Sequence, residues 1–195
     1  MFTLETLFFL ISFLLIISTH EAAHAYVAFK FGDPTAKLEG RITLNPLAHL
    51  DIFGTLALIF VHIGWAKPVP VNPNNLRHPS RDNFLIAISG PAANLLMALA
   101  GALIYLAVKS IPFLGPFFLI FIELNIVLMI FNLLPIPPLD GSKIWHLILS
   151  NESYYTLEQM GPYILLAVIV FSFSTGNILF SYLFQAADAI TRLIT

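Results

Sequence analysis

The sequence predicts an all-α polytopic membrane protein. We expect about five full transmembrane helices, a short re-entrant or interfacial apolar segment at 52–64, and short β-strands near the cytoplasmic interface. Three observations carry this expectation. Hydrophobic residues make up 58% of the 195-residue chain and charged residues 10%, against roughly 45–50% and about 25% in soluble domains. The apolar residues gather in long runs separated by short polar or proline-rich joints. Six of the nine basic residues (Lys30, Lys37, Arg41, Lys67, Arg77 and Arg81) lie between the first long run and the one that begins near residue 83.

The length fits one domain, and residues 1–195 read as a single membrane-embedded unit. The apolar runs fall at about 5–29, 52–64, 83–109, 114–134, 155–174 and 176–194. A helix needs about 20 residues to cross the hydrocarbon core. The 13 residues of 52–64 reach only about 20 Å at ~1.5 Å per residue, so this segment is expected not to cross. All six clustered basic residues then share one side, which the positive-inside rule makes cytoplasmic. The N-terminus lies outside, and the C-terminus with Arg192 returns to the cytoplasm. The first run has no basic n-region and leads into His20 and Glu21 instead of a small-residue cleavage site, so it reads as a retained span.

Residues 36–46 alternate partly and end in Asn45-Pro46, and residues 67–73 are extended and proline-rich. Both predict short strands, the second confined by its prolines to an edge or to irregular structure. There is no internal repeat. The formal net charge of -2 gives no support for a nucleic-acid partner. With no cysteine, any metal has to be held by histidines and carboxylates.

HEAAH at 20–24 places His20 and His24 one helical turn apart on one face, where two imidazoles can bind one Zn²⁺. Glu21, beside the first ligand, is placed to act as the general base for water. Ionisable side chains inside an apolar run are costly and normally mark a functional site. The competing reading is a helix end at the interface whose histidines bond neighbouring carbonyls. A catalytic zinc site usually has three protein ligands and one open position. The third candidate is Asp140, in FNLLPIPPLDG at 131–141, where Pro135, Pro137 and Pro138 interrupt a long run and force non-helical backbone beside an acid. Alternatively, Asp140 caps the helix that follows. Topology bears on the choice: if 52–64 does not cross, the 114–134 span runs inward and delivers Asp140 to the depth of the histidines.

Other polar residues in or near the runs have two readings each. Gly90, Asn94, Ala98 and Ala102 form a small-residue stripe at i, i+4 spacing that suits close helix approach in lipid, and Asn94 is either interhelical glue or a partner for the active-site helix or substrate. Asn132 either orients substrate and donates to a developing oxyanion or packs between helices. His49, two residues before Asp51, is an alternative ligand, an outer-shell partner or interfacial structure. His62, His78 and His146 show no partner pattern.

HEAAH, SGPAAN at 89–94 and NLLPIPPLDG at 132–141, in this order, resemble the site-2 protease family of intramembrane zinc metalloproteases over about residues 10–150. The resemblance implies that His20, His24 and Asp140 match the family's zinc ligands and Glu21 its catalytic glutamate. It also implies that Asn132 matches an asparagine associated with the substrate-facing LDG region. The chain is similar to the small, minimal branch, without room for PDZ or CBS domains. The implied activity is Zn²⁺-dependent hydrolysis of peptide bonds in or near transmembrane segments of protein or peptide substrates in the bilayer. We expect a multi-pass protein of a prokaryotic cell membrane with its active site toward the cytoplasm. The rival class is a zinc-binding membrane protein without proteolysis, a transporter or inactive scaffold. A transporter would carry further ligands along a path, where Asn94 and Asn132 are the main other polar candidates. A purely structural multi-spanning partner leaves HEAAH unexplained.

Overall fold

The computed structural model describes residues 3–61 and 64–195. Seven α-helices follow one another: α1 Leu4–Lys30, α2 Thr35–Leu38, α3 Ile52–Val61, α4 Pro79–Val108, α5 Leu114–Asn132, α6 Asn151–Ser174 and α7 Ile178–Ile194. Short 3₁₀ turns occupy Pro46–Ala48 and Pro73–Asn75, and a longer 3₁₀ helix covers Asp140–Leu147. Among the described residues four helices, α1, α4, α5 and α6, are long and apolar enough to cross a membrane. The protein is an integral membrane protein. The 17-residue α7 carries Asp188 and Arg192 on its outer face, paired to each other.

Local chemistry sets the helix ends. The Thr3 hydroxyl accepts the Thr6 amide at the start of α1, where Glu5 complements the positive end of the dipole, and Lys30 sits at the negative end. Pro79 opens α4, where its missing N–H costs no helical bond. Gly176 and Asn177 both take positive φ, 84° and 62°, and turn the chain sharply from α6 into α7.

Helices α1, α4 and α5 form the core. Small residues let them approach: Ala98 and Ala102 of α4 pack on Ile122 and Ile126 of α5, with Ala187 of α7 closing the cluster. Near the other end of the bundle, Phe8 of α1 meets Phe117 of α5 edge-to-face at 5.6 Å. Helix α6 packs mainly on α7 and on the 3₁₀ helix Asp140–Leu147.

The apolar segment at 52–64 forms a ten-residue helix, α3, about 15 Å long at ~1.5 Å per residue. That is half of the roughly 30 Å hydrocarbon core. Its entry and exit are tied together: Leu50 pairs antiparallel with Ala66, and the Lys67 amide donates to the His49 carbonyl at 2.8 Å. The chain therefore enters and leaves this segment at adjacent points, and Leu58 packs on Phe13 and Ile17 of α1. Residues 62 and 63 of this segment, and with them His62, lie outside the described residues.

The strands expected at 36–46 and 67–73 do not form among the described residues. Asp33 accepts the Thr35 amide and hydroxyl and so starts the single turn α2 where the alternation suggested a strand. Pro68, Pro70 and Pro73 remove the donors that a ladder would need, which leaves the Leu50–Ala66 pair as an isolated bridge. Asp33 also ties this face together, because Asn75 Nδ2 donates to its Oδ1 at 2.9 Å and the Asn72 amide to its Oδ2 at 2.7 Å. Burial opposes ionisation of Asp33, but the bonds from Asn75, Thr35 and Asn72 outweigh it and hold the carboxyl below its ordinary range.

Candidate metal centre

His20 and His24 lie on the inner face of α1, both buried, with ring centroids 4.6 Å apart and planes nearly perpendicular. Their Nε2 atoms are 3.0 Å apart. Asp140 Oδ2 completes a triangle, 3.1 Å from His20 Nε2 and 3.3 Å from His24 Nε2. Glu21 is buried in the same turn of α1.

Each position has a local cause. Helical periodicity puts residues 20 and 24 in register. The α4 backbone lies directly against them at Gly90, where a Cβ would come within 2.6 Å of His20 Cε1 and overlap the His24 ring. The carbonyl of Ile86, one turn before Gly90, accepts His24 Nδ1–H at 2.7 Å, and Ser89 Oγ donates to the same carbonyl at 2.6 Å. This bond fixes the tautomer of His24 and turns its Nε2 lone pair into the site.

Asp140 arrives from the opposite direction. Helix α5 ends at Asn132, and Pro135, Pro137 and Pro138 keep the chain non-helical until the 3₁₀ helix begins. The turn is held by Trp145 Nε1 donating to the Pro135 carbonyl at 2.8 Å and by the Ser142 hydroxyl donating to the Leu139 carbonyl at 2.6 Å. Gly141 is required here because a Cβ would meet the Leu134 carbonyl at 2.7 Å. Asp140 makes no side-chain cap bond to its helix, so the capping alternative does not describe it. Its carboxylate reaches the two imidazoles instead.

The donor set fits a zinc ion. Zinc bonds of ~2.0–2.1 Å in tetrahedral array set donor separations of about 3.3 Å, close to the 3.0–3.3 Å edges observed. Asp140 Oδ2 is buried without a hydrogen-bond partner. An imidazole lone pair from His24 and a carboxylate oxygen converging in a buried site repel each other unless a cation lies between them. His20, His24 and Asp140 form a cluster that can hold a metal ion, and the ion implied is Zn²⁺.

The other sequence candidates are placed differently. Asn132 Nδ2 donates to the Leu128 carbonyl of its own helix at 3.0 Å. Asn94 is fully buried one turn beyond Gly90, with neither amide atom partnered. His49 is fully buried, with its Nε2–H donating to the Thr43 carbonyl at 2.9 Å, and it is not part of the donor cluster. Asp51 accepts the Gly54 amide and caps α3. The contributions of the Ile86 carbonyl and of Gly90 as a contact for both rings are absent from the sequence reading, which took Gly90 only as part of a packing stripe. An apolar groove of about 540 Å³ lies alongside, lined by Thr19 and Ala22 of α1, Ala93 and Met97 of α4, and Ile42 and Leu44 of the intervening loop.

Comparison with known proteins places the chain in a family. The family model described as peptidase family M50 matches residues 109–175. A Bacillus subtilis protein named "Putative zinc metalloprotease YwhC" is 44% identical over 146 residues, covering 70% of this chain and 67% of the relative. The "Putative zinc metalloprotease Rip2" of Mycobacterium tuberculosis is 30% identical over 130 residues, covering 63% of this chain and 49% of the relative. That of Mycolicibacterium smegmatis is 30% identical over 145 residues, with 66% and 52% covered. The chain thus spans about two thirds of the length of YwhC and about half of either Rip2. No solved structure matches.

Proposed function

The chain belongs to peptidase family M50, the site-2 proteases, which makes it an intramembrane zinc metalloprotease, and we propose that His20, His24 and Asp140 hold its zinc while Glu21 serves as the general base. The observation that carries this assignment is the buried triangle of three donor atoms drawn from two separate parts of the chain. Zinc bound there supplies Lewis acidity, polarising the scissile carbonyl and lowering the pKa of water. Glu21 takes the proton from the attacking water and delivers it to the leaving amine. Asn132 uses one amide hydrogen on the Leu128 carbonyl, and its second N–H orients substrate or donates to the oxyanion.

The substrates in this reading are single transmembrane segments of other proteins. Their carbonyls are occupied by i to i−4 hydrogen bonds, so the segment has to unwind before attack. The apolar groove between α1, α4 and the loop at 42–44 suits such a segment beside the site. The same reading places the site toward the cytoplasmic face of a prokaryotic cell membrane, where Lys30, Lys37, Arg41, Lys67, Arg77 and Arg81 gather. It takes α7 as the fifth crossing and the whole chain as one membrane-embedded domain.

The test is cleavage of a panel of single-span peptides by the purified full-length protein in liposomes, with zinc content measured in parallel. Glu21→Gln should lower the rate by about 10²–10⁴-fold while zinc stays bound, and Asp140→Ala should sharply weaken zinc binding. Zinc-loaded protein that cuts nothing across a broad panel would overturn the protease assignment.

A further inference from the structure

The two histidines and the aspartate of the metal centre are supported differently. His24 is locked by the Ile86 carbonyl, whereas Asp140 Oδ2 has no hydrogen-bond partner to orient it. Its place depends on how the 3₁₀ helix Asp140–Leu147 is held, and that helix packs on α4 as well as on α6. In a 3₁₀ helix residues three apart are eclipsed, so Asp140, Lys143 and His146 form one row. The first of them reaches the imidazoles. The other two engage α6.

That engagement is a compact polar cluster. Lys143 Nζ donates to Glu158 Oε1, and the Tyr154 hydroxyl donates to the same oxygen at 2.7 Å. Tyr154 is 2% exposed, and its ring stacks on His146 at 4.2 Å and 5°. Lys143 Nζ also lies 5.8 Å from the centre of the Tyr154 ring. One turn beyond Glu158 the α6 backbone closes on the proline turn at Gly161, where a Cβ would come within 2.9 Å of the Pro137 carbonyl carbon. An isolated surface ion pair contributes little. Here one carboxylate oxygen takes two donors, one of them a buried hydroxyl, and such shared charge-assisted bonds are the strong kind.

Resting on the assignment of Asp140 as a zinc ligand, we propose that Lys143, Tyr154 and Glu158 are positioning residues that set the third ligand by clamping its 3₁₀ helix to α6. None of the three belongs to the donor cluster. They act through the row that begins at Asp140, as outer-shell groups elsewhere act through the ligands they hold.

The experiment is a double-mutant cycle on zinc affinity, measured by chelator competition on the full-length protein in detergent. Glu158→Gln and Tyr154→Phe should each weaken zinc binding by about 10-fold, at the lower end of the usual outer-shell effect. In an Asp140→Ala background the same substitutions should produce no further loss, because the residue through which they act is gone. Equal losses in both backgrounds would show a general effect on the fold and overturn the proposal. So would a Glu158→Gln protein that binds zinc like the parent while Asp140→Ala does not. Unchanged affinity in Asp140→Ala alone would instead sink the ligand assignment itself. Should Glu158→Gln fail to fold, Tyr154→Phe, which removes a single hydroxyl, completes the same cycle.

Discussion

The core of α1, α4 and α5, which α7 joins through Ala187, and helix α6 use opposite means of association. In the core, backbones approach closely over Gly90, Ala98, Gly101 and Ala102, and side chains from neighbouring helices fill the space that the missing atoms leave. Helix α6 has much of its apolar surface facing outward, with Leu166, Val170 and Phe171 all exposed, and is fixed at its Asp140-proximal end by Lys143, Tyr154 and Glu158. The two metal-site histidines rest on the first kind of contact, and the 3₁₀ helix of Asp140 packs on α4 of the core as well as on α6.

Three substitutions would break or sharpen that contrast. Gly90→Ala should have the largest effect, because the new methyl overlaps both imidazoles. Zinc affinity by chelator competition is expected to fall by about 100-fold, the upper end of outer-shell effects, and parental affinity would show that α4 can withdraw from α1. Next, Ala98→Leu inserts volume where Ala98 is fully buried against Ile122 and Ile126, which should destabilise the protein by about 1–3 kcal/mol. The same change at Ala167, exposed on α6, should stay within about 0.5 kcal/mol. Thermal unfolding in detergent compares the two directly, and equal effects would erase the distinction between the regions.

An effect smaller than that at Ala98 is expected at Asp33, outside the spans. Its native carboxyl titrates below the ordinary value of 3.8, so its stabilisation is complete above that value and is lost as pH falls through the lower native one. Unfolding measured between about pH 6 and pH 2 should show this acid-side decline. Asp33→Asn should cost about 1 kcal/mol at neutral pH, the scale of one net hydrogen bond, and should remove that part of the pH dependence.

Much of the site was legible because it follows simple periodicity. His20, Glu21 and His24 need only 3.6 residues per turn, and Asp140 needs only the prolines before it and a segment at 52–64 that does not cross. The boundaries expected for the long runs agree closely with α1, α4, α5, α6 and α7. What could not be read depends on encounters between distant residues. The Ile86 carbonyl is a backbone group with no sequence signature, and Lys143 and Glu158 lie on two separate helices, on either side of the joint at 148–150, that only folding brings together. The strands failed for a different reason. A few alternating residues at 36–46 carry less information than the bonds by which Asp33 opens a helical turn at Thr35. His49, for which the sequence left three readings open, is buried with its Nε2–H on the Thr43 carbonyl and lies outside the donor cluster.

The Leu50–Ala66 bridge has a consequence for the sidedness of everything after it. A segment tied at both ends on one surface adds nothing to the number of bilayer crossings, so the segment's length is free to vary while the parity of the chain is not. Ten more apolar residues in α3, enough to reach the far surface without the tie, would invert every later helix and carry Asp140 to the opposite side of the bilayer from His20 and His24. The meeting of Asp140 with His20 and His24 therefore depends on a segment that contributes no donor to them.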